Sequence, residues 1–461
     1  MNTIKVGVVG CGVVGSGVCQ LLTKHAKHIA GRVGARVQLA AVADRSLANA
    51  KKLKLPKSTQ LVKDGFALAA DPAIDIVVEL IGGTTVAYDL VKIALENGKH
   101  VVTANKALLA ERGDKLFQLA EKNGVQLLFE AAVGGAIPVV RTIKQDLAGD
   151  RIDRVFGILN GTCNFILTKM AAEGVDFAPT LREAQQLGYA EADPTLDISG
   201  GDTAHKIALL ASLAFGTTVN FKKVHIEGIT ELSAADFSFA EKLGRVIKLI
   251  AVAKQAKAGP STGLSNGHTA GQALELRVAP TLLPADHLLA KIDGSTNAVQ
   301  LHAAGAGDVT LVGAGAGSLP TASAVVGDVV EAARSVILSQ SKYDRLSFDK
   351  LRMTGVPNLG TQEGDMQTLP ISPIGETTSG FYLRFAVKDQ PGIVQAISTV
   401  LTKNHLSIRD MLQLDLHEFT QAVPLAVVLH PAEEQKIRHA VRELNRLRCM
   451  AEKVVVLRVE D

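Results

Sequence analysis

The stretch GYAEADPTLDISGGDTAHK, residues 188–206, gathers the side chains best suited to chemistry on a small polar molecule. Glu191, Asp193, Asp197 and Asp202 crowd into a segment punctuated by Gly and Pro, and Lys206 follows. Carboxylates held this close repel one another unless a cationic group sits among them. The segment is therefore either a cation-binding site or an acidic solvent loop. Asp202 and Lys206 are four residues apart at the start of a helical stretch, so they share one face. As an exposed pair they would contribute only about 0.3–0.5 kcal/mol. In a partly desolvated cleft, Lys206 could instead exchange protons near neutral pH, with Asp202 orienting it. His205 points about 100° away from Lys206 around the helix and reads as a packing or surface residue.

A second group of residues suits a nucleotide. Gly10-Cys11-Gly12-Val13-Val14-Gly15 is G-x-G-x-x-G, directly after an apolar run and at the opening of a helical pattern. Glycines at this spacing permit a tight turn and close backbone approach to a pyrophosphate, and the helix N-terminus attracts the anion. Asp44 closes the next apolar run, where an acid would bind a ribose 2′-hydroxyl; Arg45 beside it would instead neutralise a 2′-phosphate. NAD and NADP both stay open, and Asp44 could also simply cap its strand. ELIGGT (79–84) and TANK (103–106) end two further apolar runs. Lys106 could face both cofactor and substrate there, or be a solvated first-turn lysine. Cys163, in NGTCN, is a possible nucleophile. The sequence shows no nearby helix start or cation that demands a thiolate, so the turn is read as offering backbone and amide recognition.

These groups need a scaffold, and the first third supplies the pattern of one. Short Val-rich runs at 4–9, 37–43, 74–80, 100–103 and 125–130 alternate with helical stretches at 13–27, 85–97 and 106–122. That alternation predicts a parallel sheet with right-handed crossovers, a Rossmann-type α/β domain. Residues 136–350 mix helices with β-rich pieces; 237–254 has helical spacing at Phe239, Leu243, Val246 and Ile250. Residues 259–271 read as a mobile surface loop and 353–379 as a linker. From 380 the pattern is βαββαβ, a ferredoxin-like order.

Composition sets the outer limits. The 461 residues carry a net charge of +3, which argues against a dedicated nucleic-acid or membrane-surface protein. Four cysteines at 11, 19, 163 and 449 form neither a disulfide framework nor a zinc spacing. Neither a signal-peptide pattern nor a membrane-length apolar run is found, so a cytoplasmic protein is expected.

In order along the chain, GCGVVGSG, TANK, FEAAVGGAIP, GILNGTCNFI, GYAEADPTLDISGGDTAHK and GAGAGSLPTASAVVGD closely resemble the bacterial homoserine dehydrogenase family, over about residues 3–350. The tail, with VKDQPGIVQAIS, resembles an ACT regulatory domain. The resemblance implies reversible NAD(P)H-dependent interconversion of L-aspartate 4-semialdehyde and L-homoserine, in threonine and methionine synthesis. It implies Lys206 as proton donor and acceptor, with Asp202 and Lys106 orienting the reacting oxygen. Glu191 would bind the substrate ammonium and Asp197 would support it. Gly10, Gly12, Val13, Val14, Gly15 and the later Gly315 would contact the cofactor. Glu130, Val133, Gly135 and Ile137 would form a sodium site, mostly of backbone carbonyls. Threonine as an effector at the ACT domain and a homo-oligomer are further implications. The domains expected are a Rossmann-type unit at 1–135, completed by a segment near 313–350, an α+β catalytic and dimerisation domain at 136–312, and the ACT domain at 380–461. His287-Leu288-Leu289-Ala290 departs from the family's usual His-Pro-Leu-Ala. Two other readings compete: a phosphorylating semialdehyde dehydrogenase using Cys163, and a nucleotide- and amino-acid-sensing regulator without catalysis.

Overall fold

The computed structural model describes residues 3–257, 271–340, 358–361, 366, 369–413 and 422–460. The chain divides into two compact units. One comprises 1–155, 205–222 and 299–368; the other comprises 156–204, 223–298 and 369–461.

The first unit is built on six strands: β1 (Thr3–Val9), β2 (Arg36–Ala43), β3 (Gln60–Val62), β4 (Ile76–Glu79), β5 (His100–Thr103) and β6 (Leu127–Leu128). All pair in parallel, in the order β3-β2-β1-β4-β5-β6. The order reverses at β1, which leaves a crevice at the carboxyl ends of β1 and β4 where such sheets bind ligands. Val6, Val8, Ile76, Val78 and Val102 are buried because helices cover both faces of the sheet. The long helix Ser318–Gln340 returns to this core, burying Ala322, Val325, Val329, Ala332 and Val336 along one stripe. It packs on the helix Val13–Lys24 at Gly17, where a Cβ would lie 2.9 Å from the Ser318 carbonyl oxygen.

Two strands, β7 (Ile152–Ile158) and β11 (Thr296–Ala303), run across the boundary between the units. In the second unit the short strand β8 (His225–Ile226) lies parallel to β10 (Gln272–Pro284), and β9 (Arg245–Lys257) pairs with β10 antiparallel over 13 residue pairs. The strand β12 (Gly307–Ala314) belongs to the first unit. Beyond β10 come the C-terminal strands β13 (Thr378–Val387), β14 (Ile408–Gln413), β15 (Val423–Glu433) and β16 (Val455–Val459), in the order β10-β16-β13-β15-β14. With the helices Ile393–Lys403 and Glu434–Leu444 they give the βαββαβ order. One sheet face packs Phe381, Leu383 and Phe385 on Ile397, Leu401 and Ile437. The outer strand β16 is parallel to β10, Thr281 opposite Arg458, so this module continues a larger sheet.

Several sequence expectations change. The helical pattern expected over 237–254 is a helix, Ala234–Lys242, followed by β9. Gly244, at φ +66°, ends the helix, and the β-branched run after it extends. The helix expected over 13–27 breaks at His25 into Val13–Lys24 and Ala26–Val33. Only Leu127 and Leu128 of 125–130 pair as a strand, because Glu130 opens a short helix. Of the expected linker, Leu369 is buried, and Pro370 and Ser372 exchange backbone hydrogen bonds with Leu274 of β10. The loop expected at 259–271 lies outside the described residues except for Gly271. Among the described residues, no helix is long and apolar enough to cross a membrane.

Candidate functional site

The glycine turn follows β1. Gly10 has φ +98°, and a Cβ on it would sit 2.6 Å from the Leu80 carbonyl oxygen. A Cβ on Gly15 would sit 1.9 Å from the Gly10 carbonyl oxygen, so both positions demand glycine. Around Gly12 there is open space within 4 Å, and this residue N-caps the helix Val13–Lys24 without a side-chain hydrogen bond. The turn thus offers bare N–H groups and a helix N-terminus to an anion. A cavity of about 660 Å³ opens beside it, lined by Gly10, Gly12, Asp44, Arg45 and Lys63 among others. The Asp44 carboxylate accepts the Cys11 N–H at 2.7 Å and the Ser46 N–H at 2.9 Å. One of its oxygens therefore braces the glycine turn and the other the loop that follows β2, while Arg45 and Lys63 bring positive charge to the cavity. Gly315 lies on the returning segment, where a Cβ on Gly135 would be 2.4 Å from its carbonyl oxygen. Three residues later, Ser318 donates to the Val13 carbonyl at 2.8 Å.

The β4 and β5 ends are joined by Glu79, a fully buried carboxylate. It accepts Thr103 Oγ1 at 2.6 Å and the N–H groups of Ile81 and Gly82 at 2.9 and 3.3 Å. Burial pushes its carboxyl above the usual range, against those hydrogen bonds. Thr103 Oγ1 accepts the Asn105 N–H, and Asn105 reaches the Gly83 carbonyl and caps the helix Lys106–Lys122 through Leu108 N–H. Lys106 is consequently the first residue of that helix and half-buried. A cation at a helix N-terminus is unfavourable by about 0.3–1 kcal/mol.

The acidic segment is tied down from the helix Gly161–Glu173. Asn160 caps that helix by accepting Cys163 N–H at 2.8 Å. Its amide nitrogen donates to Asp197 at 2.8 Å and to Asp202 at 2.9 Å. Thr162 donates to the Tyr189 carbonyl, Phe165 stacks on the Tyr189 ring at 4.5 Å, and Gln185 donates to the Glu191 carbonyl. Glu191 is exposed, Asp197 half-buried and Asp202 buried. Asp202 and Lys206 lie one turn apart on the helix Gly201–Phe215, and Lys206 is 8% exposed. His205 is also buried and stacks on Phe221, as a packing residue would. Cys163 departs from its expectation: it sits in the first turn of a helix. Its thiol is nevertheless fully buried and donates to the Asp197 carbonyl at 3.2 Å, a geometry that withholds it from a substrate.

Glu130 is buried, and its carboxylate accepts the N–H groups of Val140 and Arg141 at 2.8 and 2.9 Å. Of the four residues expected to hold sodium, Val133, Gly135 and Ile137 are also buried, and Gly135 takes φ +60°. With the carboxylate committed to two N–H groups, the donors left to a cation here are carbonyl oxygens, which suit a hard ion.

Comparison with known proteins decides the class of reaction. The profile of the homoserine dehydrogenase NAD binding domain matches residues 10–130, and that of homoserine dehydrogenase matches 138–330. The homoserine dehydrogenases of Neisseria gonorrhoeae and Pseudomonas aeruginosa are each 41% identical over the whole chain, covering 99% and 100% of their own lengths. The chain belongs to the homoserine dehydrogenase family. A crystal structure of the homoserine dehydrogenase from Thiobacillus denitrificans matches all of the chain and 99% of its own, with TM-score 0.88 and 39% identity. A hyperthermophilic archaeal homoserine dehydrogenase in complex with NADPH covers 72% of the chain and 98% of its own, at TM-score 0.58 and 25% identity.

As a homoserine dehydrogenase, the chain is an oxidoreductase that uses a nicotinamide cofactor and a small-molecule substrate. Sequence reading missed several residues that organise the site. Lys63 follows β3, which was too short to show a period. Glu79 was quoted only as part of a strand end. Asn160 was read for amide recognition without its two carboxylate partners, although an Asn directly before a helical run is a capping signal.

Proposed function

We propose that the reduction of aspartate semialdehyde to homoserine, and its reverse, runs on Lys206 as the proton donor and acceptor, with Asp202 and Lys106 orienting the reacting oxygen. The observation that carries this reading is a buried lysine one turn after a buried aspartate whose carboxylate Asn160 holds in place. Bound nicotinamide supplies or accepts the hydride at its C4. Lys206 Nζ gives its proton to the carbonyl oxygen in reduction and takes it from the alcohol in oxidation. Glu191 binds the substrate ammonium and Asp197 supports it, which accounts for acids that would otherwise repel one another.

The glycine turn at Gly10, Gly12, Val13, Val14 and Gly15 cradles the pyrophosphate, with Gly315 as a later contact. NADP(H) is the preferred cofactor in this reading, since Arg45 and Lys63 suit a 2′-phosphate and Asp44 is engaged by backbone. Carbonyls of Glu130, Val133, Gly135 and Ile137 hold a sodium ion. Residues 380–461 act as an ACT domain that binds threonine, in a cytoplasmic homo-oligomer. The division expected from sequence, with a substrate-binding and catalytic domain at 136–312, belongs to the same reading, while the linker expected at 353–379 gives way from Pro370, where the chain pairs with β10.

The test is initial rates with homoserine and each cofactor, with and without millimolar threonine, for the wild type and Lys206→Ala. General acid–base catalysis is worth about 10²–10⁴-fold, so Lys206→Ala should lose at least about a hundredfold in kcat while its thermal unfolding is unchanged. Full activity in that variant would reject the role of Lys206.

A further inference from the structure

The second unit contains an ionic cluster that the proposed mechanism does not use. Arg458, on β16, is 3% exposed. Its guanidinium donates to Glu227 at 2.6 and 3.2 Å and to Glu434 at 2.6, 2.7 and 3.0 Å, and it lies 3.3 Å from His225 Nε2. His225, Glu227 and Glu434 are spaced as metal ligands would be. The guanidinium already fills the space among their ligand atoms, so the cluster is a cation site closed by the protein's own arginine.

Glu227 carries this clamp towards the acidic segment. Its N–H donates to the Val278 carbonyl of β10 at 2.8 Å. The next residue, Gly228, has no room for a side chain: a Cβ there would be 2.4 Å from the Ile198 carbonyl oxygen. Ile229 N–H donates to that same oxygen at 3.0 Å. On the facing side Gly200, at φ +86°, presses on Ile226 and the Glu227 carbonyl, with a Cβ reaching them at 3.0 and 3.4 Å. The segment so held, Asp197–Gly200, carries the Asp197 carboxylate and leads directly into Asp202. Backbone packed against backbone with two glycines at the contact leaves little slack, so a shift of Glu227 moves Ile198 and Gly200 with it.

We propose that Glu227 and Arg458 are positioning residues for Asp197, through which the C-terminal module sets the placement of that substrate-supporting acid. The inference rests on the reading of Asp197 as a substrate residue. It gives the C-terminal strands a part in homoserine binding that needs no effector.

Glu227→Ala is the primary variant, because Arg458 keeps its buried partner Glu434 and the fold loses no buried counter-charge. We expect KM for homoserine to rise about three- to tenfold, with kcat and the cofactor KM within about twofold of wild type, since uniform binding is what is removed. Glu227→Gln, whose single amide oxygen can restore one of the two hydrogen bonds from Arg458, should recover part of the homoserine KM. Asp236→Asn perturbs a different tie of the same module, to Arg384 and Tyr382. It should lower the unfolding temperature without moving the homoserine KM. Equal KM changes in Asp236→Asn and Glu227→Ala would overturn the proposal, because general loosening would then explain both. Asp197→Asn separates this inference from the reading beneath it. If Asp197→Asn raises the homoserine KM and Glu227→Ala does not, the clamp fails alone. An unchanged KM in Asp197→Asn would overturn the substrate role itself.

Discussion

Asn160 performs two separable tasks, and two substitutions divide them. Serine keeps an oxygen able to cap the helix Gly161–Glu173 but cannot reach Asp197 and Asp202; alanine loses both functions. A hydrogen bond to a charged group is worth about 1.5–3 kcal/mol when buried. Asp202 is buried and should be felt at that level, whereas Asp197 is half-buried, and water recovers most of its share. Asn160→Ser is therefore expected to cost about 2–4 kcal/mol of stability. Asn160→Ala adds the cap, about 1 kcal/mol more. If half of the serine variant's loss also falls on the transition-state complex, kcat/KM for homoserine drops about five- to thirtyfold, at about 1.4 kcal/mol per tenfold. Urea unfolding gives the first quantity, and steady-state rates with homoserine at saturating cofactor give the second. A serine variant with wild-type stability and wild-type kcat/KM would refute the bridging role. Equal stability of the serine and alanine variants would refute the cap.

Lys63→Ala and Arg45→Ala should each lower kcat/KM for NADP(H) by about tenfold, the scale of one charge-assisted hydrogen bond, and leave the NAD(H) values within about twofold. Parallel losses with both cofactors would remove these residues from 2′-phosphate recognition. Glu79→Gln keeps an acceptor for Ile81 and Gly82 and reverses the Thr103 bond, its amide donating to Thr103 Oγ1, but removes a carboxylate that burial disfavours when ionised. Because the folded-state pKa of Glu79 is raised, its contribution is fully present below the unfolded carboxyl value, about 4.3, and is lost as pH rises through the folded value. The unfolding temperature of Glu79→Gln relative to wild type should therefore climb as pH rises from about 4.3 towards neutrality. A difference that stays constant over that range would show that Glu79 is not paying for its charge.

The elements legible in the sequence were those whose signal is local. The glycine turn declares itself because Gly10 and Gly15 are forced by contacts within one strand–turn–helix unit, and β1, β2, β4 and β5 are Val-rich runs buried on both faces. The helical spacing over 237–254 misleads because Val246 and Ile250 suit both periods, and Gly244 decides between them by ending the helix at a positive φ. The reach of Asn160 to acids 37 and 42 residues later leaves no trace in spacing, so the turn could be recognised as polar but not as a clamp. Likewise Arg458 reads as one arginine in a terminal strand. Only the pairing of β16 with β10 brings it to Glu227, 231 residues away.

That pairing bears on how a C-terminal module can influence chemistry elsewhere in its unit. A regulatory domain on a loose tether can act only by changing what it touches when it binds a ligand. Here β16 is hydrogen-bonded between β10 and β13, and Leu274 of the same β10 holds the segment that leads into β13. The module is thus a continuation of the sheet that supports the acidic segment. A ligand that shifts β13 or β16 by a fraction of an ångström strains Arg458 against Glu227 and Glu434, both of which are held by further partners. Packed elements of this kind move between discrete arrangements and do not deform smoothly. Coupling in such a unit is reciprocal in free energy. If the module binds threonine, homoserine at the acids must alter threonine affinity by the same factor that threonine alters homoserine affinity. Titrating threonine binding at fixed cofactor, with and without saturating homoserine, measures that factor directly, and Glu227→Ala should bring it towards one. A coupling factor untouched by Glu227→Ala would place the connection on a route other than β16.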